Sequence, residues 1–467
     1  MGIERRSPSW RATGRLFADL RGLVRDAVRP ATVGLTRTLP SRPALAASLA
    51  WGPGALAAGY DVVVVGSGVT AASCAWSLIR SRRWKVALVS PTWLDVEAET
   101  PVLFHPLRDE PAQRLAVERS AALFSLLAEG DRALQAHRSP VLRLALDTAA
   151  ASEGPRHAVL LGASLLAGPA AGALVPALRP GVVRSALLAE RVRVVEADGL
   201  AGRFAAQAVA LGAAVVEDCP VRSLDRQGDG FRLVTDRGET RAGIVLDATA
   251  DAAALRAAGL GHGSVWAHRL RVYTEPVEPV LDAHLLTPGV SVSQLRSGEV
   301  VLTGPRRDLY EPGAEVDLPA AAEIAASAVR LVPALAELSA VAVATTCWLE
   351  ALDGRPLVGP TGRHGLYRAS GVDHDAAVAA AVGEAAAAMI CGDEPSLPLH
   401  TWAAARADAS DADPPGLAPS GLGPRSPGST VGLGPRSPGS TVGLGPRSPG
   451  STVGLGPRSP GSTVGLA

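Results

Sequence analysis

The stretch Asp61-Val62-Val63-Val64-Val65-Gly66-Ser67-Gly68-Val69-Thr70-Ala71-Ala72 joins four consecutive valines to a glycine turn and then to an alanine-rich segment. A run of β-branched residues is typical of a parallel strand buried on both faces. Gly66 permits a tight turn off the strand, Gly68 lets the backbone approach a pyrophosphate, and Ala71 takes the place of a third small residue between helix and strand. The stretch therefore predicts a strand, a phosphate loop that includes Ser67, and a helix whose N-terminus binds a dinucleotide. The alternative is a glycine-rich βα turn with no ligand.

The sequence after this helix supports the dinucleotide interpretation. A second strand is expected from Lys85 to Val89, at the spacing of a βαβ unit. Its end usually carries an acidic residue for the adenosine ribose, and here the residue is Ser90, which can form a hydrogen bond without charge assistance. Asp95 and Glu97 lie close enough in sequence to take over that contact, and the sequence leaves this open.

Composition and charge limit the class of partner. The 467 residues carry no net charge and have a pI near 7.1, which argues against nucleic acid and favours small-molecule partners. Four scattered cysteines without metal-ligand spacing predict neither a metal site nor a disulfide framework, and fit a cytoplasmic protein. No apolar run approaches the length of a transmembrane helix.

The chain divides into a central domain and two extensions. Residues 1–58 are predicted to be an N-terminal extension, in which residues 8–29 form a candidate basic amphipathic helix; docking on an acidic surface and simple disorder are both open. Residues 404–467 are predicted to be a disordered linker followed by four copies of GLGPRSPGSTV, beginning at Gly421. Residues 59–403 remain as the folded part.

Within the folded part, apolar patterns predict further elements. Helices are expected at about 111–135 and 199–211, and strands at 213–217, 231–234, 243–247 and 265–273. Residues 290–295 and 299–303 are expected to form a hairpin around Arg296-Ser297-Gly298.

Two blocks of sequence resemble the FAD-dependent amino acid and amine oxidoreductases of the glycine oxidase, sarcosine oxidase and D-amino acid dehydrogenase type. The first is residues 194–221 with the later strand 245–250. The second, more specific block is Leu-Asp-Gly-Arg-Pro-Leu-Val-Gly-Pro at 352–360, followed by residues 365–371 and an alanine-rich helix at about 375–391. The resemblance spans roughly residues 59–403.

The resemblance implies an α/β (α+β) fold. A Rossmann-type FAD-binding domain, built from residues of about 59–100, 190–262 and 345–395, would carry an inserted antiparallel-sheet substrate domain built from about 101–189 and 263–344. It implies FAD as the cofactor and a hydride transfer that oxidises a carbon–nitrogen bond. In this family the helix at 375–391 aims its N-terminus at the flavin, where amide donors stabilise the negative charge of the reduced ring.

The resemblance also implies individual cofactor contacts. Beyond the phosphate loop and Ser90, the residues implied to bind FAD are Val221, Ala248, Gly354, Gly371, Asp375 and Ala377. His374 is the candidate catalytic residue, as a polar contact near the ring; a plain helix-entry role is equally open. Asp375 is interpreted as the N-cap of the helix.

Several positions depart from the family pattern. Thr249-Ala250 replaces a small-residue turn, Ala376 stands where glycine is preferred, and the Arg-Pro that often binds the substrate carboxylate is absent. Four arginines are candidates for that carboxylate contact: Arg269, Arg271, Arg306 and Arg307. Cys347 lies one residue short of the cysteine that sarcosine oxidases bond to flavin, and a buried structural role is the simpler interpretation.

The sequence therefore predicts an FAD-dependent oxidoreductase acting on a small amine or amino acid, with an unknown electron acceptor. A catalytically drifted FAD-binding subunit or binding module of the same fold, with a partner subunit, is the main alternative. An NAD-dependent dehydrogenase is a third, and leaves the block at 352–391 without a role.

Overall fold

A computed structural model describes residues 56–408, except residues 93, 95–100, 130–133, 135, 197–198, 261–262, 310–316 and 373. The candidate helix at 8–29 and the repeats from Gly421 lie outside the described residues. So do Asp95, Glu97 and Asp373.

The described helices, numbered in chain order, are α1 (Val69–Arg80), α2 (Pro111–Ala128), α3 (Thr148–Ser152), α4 (Gly154–Leu161), α5 (Gly168–Leu174), α6 (Leu200–Ala210), α7 (Ala253–Ala257), α8 (Leu318–Leu331), α9 (Ala376–Cys391) and α10 (Ala405–Asp408). Short 3₁₀ helices lie at Pro333–Glu337 and Leu399–Thr401.

The strands are β1 (Gly59–Val65), β2 (Val86–Val89), β3 (Val102–Phe104), β4 (His137–Ala145), β5 (Ser164–Ala167), β6 (Ser185–Val195), β7 (Ala214–Val216), β8 (Val221–Gln227), β9 (Gly230–Thr235), β10 (Gly238–Asp247), β11 (Ser264–Thr274), β12 (His284–Leu286), β13 (Ser291–Gln294), β14 (Val300–Thr303), β15 (Arg307–Leu309), β16 (Ala340–Ala351), β17 (Leu357–Pro360) and β18 (Leu366–Ser370).

Two sheets organise these strands. The first has eight strands in the order β17-β18-β10-β1-β2-β7, with β8 and β9 extending from β10. Its centre is parallel, since β1 pairs in parallel with both β2 and β10. The second has ten strands, and its pairs are antiparallel apart from β4 with β12. The predicted fold class, a Rossmann-type domain combined with a largely antiparallel sheet, is confirmed.

The core explains why β1 reads as an unbroken apolar run. Val62 to Val65 are fully buried, because helices or sheet cover both faces of the strand. The predicted second strand, the hairpin β13–β14 and the helices near residues 200 and 376 are all present. The helix expected over 111–135 ends earlier, at Ala128. Gly130 follows closely in sequence, and its poor helix propensity was the missed stop signal.

Helices α1 and α9 cross at very short range. An added Cβ at Gly383 would lie 2.2 Å from the carbonyl oxygen of Thr70 and 2.1 Å from Ser73 Oγ. Ser73 Oγ also donates a hydrogen bond to the carbonyl of Ala380 at 3.1 Å. This contact fixes the helix that follows the glycine turn against the helix that begins at Ala376.

Candidate active site

The glycine turn after β1 is held by close backbone contact. A Cβ added at Gly66 would lie 2.4 Å from the carbonyl oxygen of Ala248 and 2.8 Å from Ala71 Cβ. The Gly66 amide donates to the carbonyl of Val89 at 3.0 Å. The structure thus brings Gly66, Ala71 and Ala248 together, and the turn tolerates no side chain at position 66.

The N-terminus of α1 has the features of an anion-binding helix end. Gly68 is the N-cap residue, no side chain caps the helix, and its first turn contains no acidic residue. Ser67 and Gly68 are half-buried beside it. The first amides of α1 and the helix dipole therefore suit a phosphate group. Together with the cradle around Gly66, these residues fit the pyrophosphate of FAD.

Ser90 follows β2 and is fully buried. Its hydroxyl donates to the carbonyl of Thr92 at 2.6 Å, and its backbone groups bond to Val216 and Cys219. The side chain therefore closes the turn after β2, and only its acceptor lone pairs remain for a ribose hydroxyl. Val221 begins β8 and is half-buried. Contacts of Ser90 and Val221 with FAD stay predictions.

The end of β10 carries a buried carboxylate that sequence reasoning did not single out. Asp247 accepts hydrogen bonds from the Thr249 amide and hydroxyl at 3.0 and 2.6 Å, and from the Leu255 amide at 2.8 Å. Burial raises the pKa of Asp247, and these hydrogen bonds oppose the rise. The Thr249 hydroxyl in turn accepts from the Ala253 amide at 2.7 Å. Thr249 therefore has a structural role, which explains its departure from the small-residue pattern.

The N-terminus of α9 is capped as the sequence predicts. Asp375 Oδ1 accepts the Ala377 amide at 3.2 Å, and Arg108 Nη1 donates to Asp375 Oδ2 at 2.5 Å. Burial alone raises the pKa of Asp375, but the charge of Arg108 and its hydrogen bond to the carboxylate hold that pKa below its ordinary value. Asp375 is therefore an ionised cap whose charge is compensated by Arg108.

The two glycines predicted in the second block have different surroundings. Gly371 is buried with φ of +87°, a backbone conformation that other residues rarely adopt, and a Cβ added there would lie 3.4 Å from Pro356 Cα. Gly354 has φ of +69° in an exposed turn between β16 and β17. Gly371 is thus a buried residue in the turn before α9. Gly354 lies in the neighbouring exposed turn, whose residues 355 and 356 face Gly371.

His374 stacks on the indole of the fully buried Trp348, with ring centroids 4.1 Å apart and an interplanar angle of 23°. Burial, reinforced by the charges of Arg269 and Arg271, lowers the pKa of His374 to about 3. The imidazole is therefore neutral near pH 7, and its Nδ1 has no hydrogen-bond partner among the described residues. Trp348 is held in turn by its Nε1, which donates to Glu350 Oε2 at 2.7 Å.

The arginine candidates separate clearly by their partners. Arg306 pairs with Glu350 at 2.5 Å and Arg307 with Glu323 at 2.8 Å, so both guanidinium groups are neutralised. Arg271 is buried and donates to Thr346 Oγ1 at 3.0 Å. It forms no ion pair with any residue that the structure describes. Arg269 lies two residues earlier on β11, with its guanidinium 5.8 Å from the Trp348 ring.

His105 and Arg108 complete the site, and sequence reasoning missed both. His105 is buried, its Nδ1 has no partner within the described part of the chain, and burial followed by the charge of Arg108 lowers its pKa well below the ordinary value. They lie in the segment after β3, which was assigned to the substrate domain without a motif. The sequence did carry one signal for this part of the site: a histidine and an arginine lie three residues apart directly after a short apolar strand.

Among the described residues, no three or more histidine, cysteine, aspartate or glutamate side chains are grouped so that they could hold a metal ion. No helix in the same part of the chain is long and apolar enough to cross a membrane.

Comparisons with known proteins identify the fold. The family model described as "DAO: FAD dependent oxidoreductase" matches residues 61–389. Glycine oxidase from Geobacillus kaustophilus is similar in structure with a TM-score of 0.68 and 20% identity, over 75% of this chain and 99% of that one. L-proline dehydrogenase from P. horikoshii has a TM-score of 0.69 and 18% identity, over 76% and 99%. Iminodiacetate oxidase from Chelativorans sp. BNC1 has a TM-score of 0.63 and 21% identity, over 73% and 98%. No curated protein sequence matches the chain.

Proposed function

Because the chain belongs to the DAO family of FAD-dependent oxidoreductases, we propose that it oxidises the carbon–nitrogen bond of a small amino acid or secondary amine. Bound FAD supplies the hydride acceptor. The chain's own residues hold that cofactor, bind the substrate and exclude water from the reacting carbon.

Cofactor binding is proposed to begin at the glycine turn. Gly66, Ser67 and Gly68 present backbone to the pyrophosphate, with Ala71 and Ala248 packed behind them. At the other end of the site, the first amides of α9 after Asp375 provide donors for negative charge on the ring. Arg108 compensates the Asp375 carboxylate at 2.5 Å, so the cap does not cancel the positive end of the helix dipole.

The single observation that carries the substrate class is Arg271. Among the residues that the structure describes, the buried Arg271 guanidinium has the Thr346 hydroxyl as its hydrogen-bond partner and no carboxylate. A buried guanidinium of this kind is costly unless an anion pairs with it. Arg271 also contributes to the lowered pKa of His374, which places its charge near the stacked His374–Trp348 pair. A substrate carboxylate satisfies this arginine, and a bidentate pair would orient the carbon that bears the nitrogen.

His374 acts in this proposal as a neutral polar contact. With a pKa of about 3 the ring is a neutral imidazole at neutral pH, so it is not a general acid and is a weak base, although its one N–H can still donate a hydrogen bond. Its stacking on Trp348 fixes the plane of the ring, so its contribution is to position the substrate.

The drifted-subunit alternative rests on the departures from the family pattern. Two of those departures have structural reasons here. The Thr249 hydroxyl accepts the first backbone amide of α7, and Ala376 is the buried first residue of α9, directly after the Asp375 N-cap. Since Thr249 and Ala376 both have a structural explanation, these two residues are weak support for a loss of catalysis.

The proposal is tested by anaerobic mixing of the flavin-loaded chain with a panel of amino acids and N-methyl amino acids, followed in the flavin absorption bands. We expect concentration-dependent bleaching by at least one carboxylate-bearing amine. Arg271→Met should weaken apparent substrate affinity roughly tenfold or more, as expected for a lost charged hydrogen bond. Arg307→Met removes a partly exposed arginine that is already paired with Glu323, and serves as the control. Bleaching by none of the panel, with FAD retained, would favour the drifted subunit.

A further inference from the structure

A cleft outside the proposed flavin site opens at one end of the ten-stranded sheet. It has a volume of about 550 Å³ and lies where β4 begins, β6 ends and the β13–β14 hairpin turns. This volume lies within the usual range for small-molecule sites. None of the residues that line it belongs to the glycine turn or to α9.

Gln294 gives the cleft a fixed wall. Its Oε1 accepts the amides of Val280 and Leu281 at 2.7 and 3.0 Å. Its Nε2 lies 3.1 to 3.2 Å from the carbonyl oxygens of Val277, Glu278 and Gly298, to which it donates. One side chain thus ties the loop after β11 to the hairpin, so the cleft is built into the fold.

Glu196 supplies a negative charge at the floor of this cleft. Its Oε2 accepts the backbone amide of Arg296 at 2.8 Å. Its Oε1 lies 3.4 Å from His137 Nε2, yet this oxygen is buried and has no hydrogen-bond partner within the described residues. A buried carboxylate oxygen without a donor is an unmet acceptor.

His284 offers a second unmet polar atom in the same cleft. The side chain is only 3% exposed, and its Nδ1 has no partner in the described part of the chain. Burial lowers its pKa to about 4, and the neighbouring His137 contributes in the same direction. Burial also lowers the pKa of His137, with the Arg296 charge acting in that direction and Glu196 against it. Near pH 7 the two imidazoles are neutral hydrogen-bonding groups beside one carboxylate.

We propose that this cleft is a second binding site, for a free zwitterionic amino acid, in which the ligand ammonium is bound by Glu196 and an imidazole nitrogen and the ligand carboxylate by Arg296. This second site is independent of the proposed oxidation, because its ligand class is inferred from the residues of the cleft and not from the flavin site.

The balance of charge decides between a zwitterion and a simple ion. Arg138 and Arg296 line the cleft together with Glu196, Glu278 and Asp282. A ligand that carried only positive charge would face the two arginines, and one that carried only negative charge would face three carboxylates. The backbone amide of Arg296 is bonded to Glu196, and the charge of Arg296 acts on the pKa of His137. A positive and a negative side chain therefore line the same end of the cleft.

The apolar part of the lining suits an aliphatic side chain. Val277, Leu281 and Leu295 lie in the cleft wall with two prolines nearby. Glycine, alanine and proline are therefore natural first probes, because each combines adjacent opposite charges with a small apolar surface.

The experiment is equilibrium dialysis of radiolabelled glycine, L-alanine and L-proline against the full-length, flavin-loaded chain under anaerobic conditions. Four variants are compared with wild type. Glu196→Gln and Arg296→Gln change the cleft, Arg271→Met changes the proposed flavin-site anchor, and Glu190→Gln changes an exposed carboxylate on β6 outside the cleft. A thermal melt of each variant checks folding.

The expected result is a binding component for at least one amino acid that is weakened roughly tenfold or more in both cleft variants and stays within twofold of wild type in Glu190→Gln and Arg271→Met. A second component that is weakened in Arg271→Met alone is binding at the proposed flavin site. Acetate and methylamine, which carry one charge each, should compete at least tenfold less well. If all amino-acid binding were lost in Arg271→Met and kept in Glu196→Gln, the ligand would lie at the flavin site alone, and the inference would be overturned. Absence of binding by all three amino acids would overturn it as well. Flavin bleaching is read separately, so the oxidation can fail or succeed independently of this site.

Discussion

Asp375 is predicted to stabilise the fold by two separable interactions at the start of α9. Its side chain caps the helix through the Ala377 amide and pairs with Arg108, and both partners of the pair are about one-fifth exposed, at 20% and 19%. An N-cap contributes ~1 kcal/mol. An exposed ion pair contributes up to ~1 kcal/mol, whereas breaking a buried one costs ~3 to 5 kcal/mol. The intermediate burial places the loss of this pair at ~2 kcal/mol.

Three variants separate these contributions. Asp375→Asn keeps a capping oxygen and loses the charge, so we expect a loss of ~2 kcal/mol in the free energy of unfolding. Asp375→Ala loses the cap as well and should cost ~3 kcal/mol. Asp393→Asn is the matched control near the other end of α9, because its ion pair with Arg83 is more than half exposed, and it should cost below ~1 kcal/mol.

The pH dependence follows from the lowered pKa of Asp375. A carboxyl group whose pKa is lower in the folded state than in the unfolded state binds fewer protons when folded, so its stabilisation is present above the unfolded pKa of about 4. The stabilisation disappears as pH falls through the lower folded pKa. The difference between wild type and Asp375→Asn should therefore be constant from about pH 5 to 8 and shrink in more acidic solution.

Urea unfolding with saturating FAD in every sample measures these values, because bound cofactor adds the same stabilisation only at equal saturation. If Asp375→Asn and Asp393→Asn lowered the free energy of unfolding by the same amount, the ion pair between Asp375 and Arg108 would not anchor α9.

Three further predictions concern other parts of the chain. Gly66→Ala should lose most bound FAD, measured as flavin absorbance per chain, because its Cβ would lie 2.4 Å from the Ala248 carbonyl; full occupancy would show that the turn does not hold the cofactor. His284→Gln should reduce the loss of stability between pH 7 and 5 by ~2 kcal/mol, since a histidine whose folded pKa is about 4 takes up its proton more readily when unfolded; an unchanged pH profile in urea unfolding would contradict this. Removal of residues 409–467 should leave flavin content and Tm nearly unchanged, because that sequence has few apolar side chains to add to a core, and a drop of several degrees would count against it.

Local signals were enough to predict the scaffold. Four valines, two glycines and an alanine-rich segment determine β1, the turn and α1, since each element is specified within a few residues. The Asp375 cap was likewise visible, because an aspartate directly before an alanine-rich run is a helix start signal.

The interior of the site could not be predicted in the same way, because it depends on pairings across the chain. Arg108 and Asp375 are 267 residues apart in sequence, and Trp348 meets His374 only after β16 and α9 are packed. The four candidate arginines look alike in sequence, and only burial and the presence of acidic partners separate Arg271 from Arg306 and Arg307. Whether an arginine is buried and has an acidic partner depends on residues that are distant in sequence, so it cannot be read from the spacing of residues along the chain.

A visible absorption spectrum of the purified chain, taken before and after anaerobic addition of amino acids and followed by acid precipitation, tests most directly whether the chain is an FAD-dependent amine oxidoreductase. We expect flavin bands, their bleaching by at least one amino acid with formation of the corresponding oxo acid, and release of intact FAD into the acid supernatant. A colourless protein that takes up no FAD when it is added would show that the chain is not a flavoenzyme.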